Sequence, residues 1–269
     1  MTKPQVSDFL ESIRIEELLH IETMLTRFVR PTARILEVGA GTGWQARALA
    51  ARGYDIEAID IPDSNHRHAR IWPIVDFDGS IIPYPDASFD VVYSSNVLEH
   101  VGDIVTLNSE IARVLRPDGM AVHYVPTSAW RTWSLLAFYP ALVREAFRRL
   151  TRTRQHLAKG NCGINGATVA AVPRRPLLKK ILRRMTPHAH GTVGTCFTEL
   201  LRFRRCSWDV FFTEAGWTIA SHSVNGLFLT GEMLLGAALP IGWRRFLSGY
   251  IGSTAHLYVL KQRNSMRTT

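Results

Sequence analysis

The residues with the most to say about chemistry are Glu37-Val38-Gly39-Ala40-Gly41-Thr42-Gly43-Trp44. Glycine has no Cβ and accepts left-handed backbone, so alternate glycines let a chain turn sharply and pass close to a ligand. A helix beginning just after them offers free N–H groups. Asp60 closes the next apolar run, and a carboxylate in that position can accept hydrogen bonds from both hydroxyls of a ribose. The pattern suits a ligand that carries a nucleoside. Two common variants fail on spacing. The third glycine of the dinucleotide pattern G-x-G-x-x-G would fall at position 44, which is Trp44, and no Gly-Lys-Ser/Thr follows as a phosphate loop requires. Four histidines, His100, His123, His188 and His190, are the groups able to take a proton from an acceptor.

These residues need elements to hold them. Residues 8–30 carry apolar side chains at helical spacing, with Pro31 after the end. The runs Arg34–Val38, Asp55–Asp60 and Phe89–Ser94 read as strands, Ile74-Val75 as a short one, and Met120–Val125 as a fifth beyond the turn Arg116-Pro117-Asp118-Gly119. Trp44–Arg52 and Asp103–Leu115 read as helices between them. Strands alternating with helices imply parallel βαβ units in an open, doubly wound sheet. After Pro126 the rhythm breaks. Residues 128–150 form an aromatic helix or helix pair, 158–170 a loop, Leu177–Met185 a short basic helix and His188–Thr195 a second loop. Ser207–Gly216 returns as a helix, with strands at Trp217–Val224 and His256–Gln262.

At this point the sequence resembles a known family. The glycine segment, the acid after the second strand, and the segments Asp78–Pro85, Phe89–Ser94, Asn96–Val101 and Arg113–Met120 look like a class I S-adenosylmethionine-dependent methyltransferase, in particular its small-molecule type 11 subgroup. The resemblance covers about residues 30–126, with a weaker match in 207–224 and 255–262. It implies a doubly wound, mostly parallel seven-stranded sheet, a Rossmann-like methyltransferase fold with a helical insertion after the fifth strand. It also implies S-adenosyl-L-methionine as cofactor. Gly39, Ala40, Gly41 and Gly43 would line its methionine part, with Glu37 toward the amino group. Asp60 would take the ribose, Ile61 would lie on the adenine, and Asp78 and Gly79 would sit at the adenine edge, with Asp76 a second choice. Asn96 and Val97 would face the sulfonium. His100 and His190 are the expected catalytic residues. No metal is expected, since neither a cysteine nor a carboxylate stands at ligand spacing from the loop histidines.

Charge divides the 269-residue chain. Residues 1–126 hold 11 Lys+Arg against 18 Asp+Glu, a balance of −7, and residues 127–269 hold 21 against 5, a balance of +16. The division matches three expected parts: a cofactor-binding core (1–126), a basic, aromatic-rich lid for the substrate (127–206), and C-terminal strands and a helix completing the sheet (207–269). The expected reaction is O-methylation of a small molecule, sugar or lipid-linked acceptor, with peripheral contact to an anionic membrane. Nucleic acid is not the expected partner: the Ser94-Ser95-Asn96-Val97 segment lacks the Asn/Asp-Pro-Pro-aromatic signature of base methylation, and no RNA-binding module is visible. Two alternatives stay open: a nucleic-acid (RNA) methyltransferase, which the basic half permits, and a protein that binds the cofactor without catalysis. The three cysteines form no C-x-x-C pair, and the first residues lack the apolar core of a signal peptide, so the expected place is the cytoplasm, including the inner membrane face.

Overall fold

The computed structural model describes residues 6–28, 30, 32–158, 187–230 and 234–263. Helix α1 (Val6–Phe28) leads into β1 (Arg34–Val38), α2 (Trp44–Ala50), β2 (Asp55–Asp60), β3 (Val75–Asp76) and β4 (Phe89–Ser95). Then come α3 (Ile104–Val114), β5 (Leu115–Pro126), α4 (Ser128–Ala158), α5 (Thr198–Arg202), α6 (Arg205–Glu214), β6 (Trp217–Val224), α7 (Ile241–Ile251) and β7 (Ala255–Gln262).

The strands form one seven-stranded sheet in the order β3-β2-β1-β4-β5-β7-β6. The pairs from β3 to β5 are parallel, while β7 runs antiparallel to both β5 and β6. Parallel strands covered on both faces must be apolar on both. Ile35, Val91, Tyr93 and Val122 point to one side, where Leu18, Ile21 and Leu25 of α1 and Ala46 and Leu49 of α2 cover them. Leu36, Val92, Ala121 and Tyr258 point to the other, against Leu107, Ile111 and Val114 of α3 and Trp208 and Phe212 of α6. Burying each large side chain of this kind contributes about 1.5–3 kcal/mol. Helix α3 shows the local logic. Asp103 caps it by accepting the Thr106 N–H at 3.0 Å, and its buried residues recur four and three apart.

One reading from the sequence changes, one narrows to one of its two alternatives, and one lies largely outside the described residues. The expected turn Arg116–Gly119 lies inside β5: Leu115 pairs with Phe89 and Met120 with Val91, so these four residues bulge out of the ladder, with Arg116 held by Asp90 at 2.6 Å. The helix or helix pair after Pro126 is one 31-residue helix that tolerates Pro140 inside it, although proline has no N–H for the helical ladder. The loop expected at 158–170 and the helix at Leu177–Met185 fall at or outside the edge of the described residues.

Candidate active site

The carboxyl ends of β1, β2 and β4 open into a cavity of ≈ 780 Å³. In open parallel sheets this is where ligands bind. Gly39, Gly41 and Gly43 all adopt positive φ, +74°, +58° and +74°. At Gly39 a Cβ would lie 2.5 Å from a methyl of Val97, and at Gly43 one would lie 2.5 Å from the Cβ of Trp72, so both steric space and backbone conformation demand glycine there. Asn96 also has positive φ, +55°. Its N–H donates to the Tyr124 carbonyl at 2.8 Å, which fixes the bend that carries Val97 under the glycine loop.

Asp60 ends β2 and is buried. One carboxylate oxygen accepts the Gly41 N–H at 3.1 Å and the other the Ile61 N–H at 2.9 Å. Each oxygen keeps a lone pair for a further donor. Glu37 is buried deeper, and burial pushes its carboxyl up to about 8, with the Asp60 charge acting in the same direction against the Tyr93 phenol and the Ala46 N–H. Glu37, Gly39, Ala40, Gly41, Asp60, Ile61, Asp78, Gly79, Asn96 and Val97 all line the cavity, as does His100. Gly43 instead stands behind the loop as the residue preceding α2.

Asp76 and Asp78 differ in their partners. Asp76 is taken by Arg70 at 2.6 Å and Arg67 at 3.1 Å, which hold its carboxyl below the usual range. Asp78 lines the cavity, and its Oδ1 accepts the Ile81 and Ser80 N–H groups at 2.7 and 2.8 Å.

The histidines separate too. His123 is fully buried, with Nδ1 2.9 Å from the Ser94 hydroxyl and its ring stacked on Phe212. Burial drives its pKa down to about 3, so this imidazole is a core residue and not a base in contact with an acceptor. His188 offers its carbonyl to Arg131 at 2.5 Å and leaves its ring exposed. His100 lies on the cavity wall, where burial lowers its pKa. His190 meets it from the loop before α5: the two ring centroids are 4.7 Å apart, and Trp130 of α4 packs on His190 at the same distance.

Several site residues escaped the sequence. Arg14 and Glu17 of α1 line the cavity, and burial raises Glu17 to about 7 against the opposing charge of Arg14. Nothing in the sequence sets them apart from the other charged residues of α1, Asp8, Glu11, Glu16, Glu22 and Arg27. Glu99 is buried beside both imidazoles, with one oxygen 3.7 Å from His190 Nε2 and 3.9 Å from His100 Nε2. Behind them, Glu199 accepts the His190 and Gly191 N–H groups, both at 2.7 Å, and pairs with buried Arg131 at 2.8 Å. Thr192, which ties this loop to the His100 carbonyl, is 92 residues along the chain from it, and Glu199 lies further still, so no local pattern announces the contact.

The architecture is that of a nucleoside-binding, doubly wound α/β domain with its last strand reversed. Residues 36–123 match the profile of a methyltransferase domain family. An uncharacterised methyltransferase of Mycobacterium sp. (strain JLS) is 41% identical over 93 residues, 33% of this chain and 36% of the relative. One from Mycobacterium marinum is 34% identical over 152 residues, 51% and 57% of the two chains. The chain thus spans between about a third and a little over half of these curated relatives. Among solved structures, a methyltransferase in complex with the Haloferax volcanii Trm112 methyltransferase activator aligns over 94% of this chain and 92% of that one, with 14% identity and a TM-score of 0.54. An S-adenosylmethionine-dependent methyltransferase from Methanosarcina mazei aligns over 89% and 96%, with 16% identity and a TM-score of 0.52. These structures share the fold. Residues 36–123 are therefore a class I S-adenosylmethionine-dependent methyltransferase domain of the type 11 family.

Proposed function

We propose that this chain transfers the methyl group of S-adenosylmethionine to a hydroxyl of a small molecule, sugar or lipid-linked acceptor. The observation that carries the reading is the single cavity onto which the glycine loop, the Asp60 carboxylate and the His100 wall all open. The residues fit the cofactor: Gly39 and Gly41 bring bare backbone to the cavity wall, Asp60 keeps acceptor lone pairs for a ribose, and Glu37 is a buried carboxyl for an amino group. When bound, the cofactor supplies a methyl group already electrophilic on a sulfonium. The protein's task is then placement. Holding the acceptor oxygen about 3 Å from that carbon can supply several kcal/mol through orientation alone. His100, on the cavity wall, and His190, 4.7 Å from it between ring centroids, are the groups we assign to the acceptor hydroxyl.

The test is calorimetry with S-adenosylhomocysteine, followed by labelled cofactor with fractionated cell extract. Heat on binding, and label in a lipid, glycan or small-molecule fraction, support the reading. Absence of heat, or label confined to nucleic acid, overturns it.

The membrane part rests on exposed apolar stripes. Helix α4 presents Leu136, Tyr139, Val143 and Phe147, and α7 presents Trp243, Phe246 and Tyr250, each at helical spacing. No helix among the described residues is long and apolar enough to cross a membrane. Such stripes in a strongly basic half suit a chain lying on an anionic surface. Retention by anionic but not neutral vesicles at low salt is the expected result, and equal behaviour with both removes this part.

A further inference from the structure

We propose that Glu99, His100 and His190 bind one divalent transition-metal cation at the acceptor side of the cavity. The inference rests on the methyl-transfer reading only for its purpose; the site itself is argued from the geometry.

Glu99 is the anomaly. Its side chain is wholly buried, and neither carboxylate oxygen has a hydrogen-bond partner among the described residues. A buried carboxylate without donors is costly, and proteins compensate such groups with paired charge or metal. The buried cation of this neighbourhood does not do so: Arg131 is committed to Glu199 at 2.8 Å and to the carbonyls of His188 and Cys196. What faces Glu99 instead is a pair of imidazoles. Their Nε2 atoms lie 3.9 and 3.7 Å from one carboxylate oxygen, and one donor atom from each of the three residues falls within 4.8 Å of the others. A cation bound at about 2.0–2.2 Å holds neighbouring donors roughly 3–3.5 Å apart, so the two Glu99 contacts need to shorten by a few tenths of an ångström and the widest separation by about one ångström or more, a movement within reach of side-chain rotation.

The meeting is built, not incidental. His190 comes from a loop far along the chain, and that loop is fastened to the turn bearing Glu99 and His100. The Thr192 N–H donates to the Glu99 carbonyl at 3.3 Å and its hydroxyl to the His100 carbonyl at 3.0 Å. Gly191 passes so close that a Cβ there would lie 2.3 Å from the Glu99 carbonyl oxygen. Glu199 fixes the loop from behind through the His190 and Gly191 N–H groups. Outer contacts that orient ligands in this manner are a regular feature of metal sites.

Two imidazole nitrogens and one carboxylate suit borderline cations such as zinc, cobalt or nickel better than magnesium or calcium. Three protein donors leave positions open, and one of the three, His100, belongs to the cavity wall. An acceptor hydroxyl bound there would be oriented and made more acidic.

The test uses the full chain stripped by a chelator and titrated with Co²⁺ near neutral pH. One equivalent binding with visible d–d absorption is expected. His190→Ala and Glu99→Gln should each weaken it by about tenfold or more. Absence of d–d bands, or the same affinity in both variants, overturns the site, the latter placing cobalt elsewhere. Should Glu99→Gln fail to fold, His190→Ala, at a partly exposed side chain, decides alone. Heat of S-adenosylhomocysteine binding is measured on the same samples. The metal site can therefore fail while the cofactor site stands, and the reverse.

Discussion

The two ends of the cavity are built by different means. The cofactor end is backbone and local sequence: three left-handed glycines, the N–H groups of Gly41 and Ile61, and an acid at the end of the adjacent strand. The acceptor end is side chains gathered from far apart: Glu99 and His100 from after β4, Arg131 from α4, and His190 and Glu199 from beyond the long helix. A ligand common to many proteins can be met by a shared backbone motif. One particular to a protein needs side chains, which insertions are free to vary.

The comparison makes the acceptor end depend on a buried ion pair, and that is where the largest effect should fall. Arg131 and Glu199 are nearly inaccessible, and Arg131 also ties down the carbonyls of His188 and Cys196. Removing one member of a buried pair strands the other's charge, at about 3–5 kcal/mol. Arg131→Met should lower the free energy of urea unfolding by that amount, and adding Glu199→Gln should restore part of it. A loss below about 1 kcal/mol would mean that the loop is not held this way.

The cofactor end should fail differently, through backbone. Gly39→Ala meets the Val97 methyls at 2.5 Å and keeps a positive φ that alanine resists. Strain of this order, about 1–3 kcal/mol, should appear as weaker S-adenosylhomocysteine binding by roughly tenfold to a hundredfold. Val97→Ala in the same chain should recover part of that, because it removes the methyls and leaves the φ. Full recovery would make the cost steric alone.

Asp60→Asn sharpens the same point with a smaller change. The amide keeps the shape but removes the charge that strengthens hydrogen bonds to a ribose, worth about 1.5–3 kcal/mol for a charged acceptor. Affinity for S-adenosylhomocysteine should fall about tenfold to a hundredfold, and the melting temperature should fall as well, because the amide nitrogen cannot accept the second of the Gly41 and Ile61 N–H groups. An unchanged affinity would remove Asp60 from the ribose.

What was legible follows the same division. The sheet, its order of elements and the glycine loop were readable because apolar runs and glycine spacing are local signals. The Arg116–Gly119 turn was misread because a bulge and a turn share residue types and differ only in what lies opposite, here Phe89 to Val91. His123 stood among the four candidate bases because burial, not sequence, decides whether an imidazole can reach an acceptor. Glu99 stands beside His100 in the sequence, yet was not counted as a ligand because its second imidazole, His190, arrives only through tertiary folding. Arg14 and Glu17 were missed because α1 was read only for the face that packs.

The smallest effect is counted in protons, and it separates the two ends once more. In the cofactor-free protein burial holds Glu37 protonated up to about 8. Its pKa is raised above the unfolded value, so its contribution to stability is fully present below about pH 4.5 and is lost as pH rises toward 8. Glu17, raised to about 7 by the same cause, adds to this trend. A ligand bringing an ammonium group to Glu37 favours the carboxylate, so binding at pH 7 should release up to about one proton. The observed heat of S-adenosylhomocysteine binding should then be more exothermic in Tris than in phosphate, because the buffer takes up that proton. The difference should shrink above pH 9, where Glu37 is already ionised, and vanish in Glu37→Gln. If His190→Ala removed it instead, the titrating group would belong to the acceptor end, and the division of the cavity drawn here would be wrong.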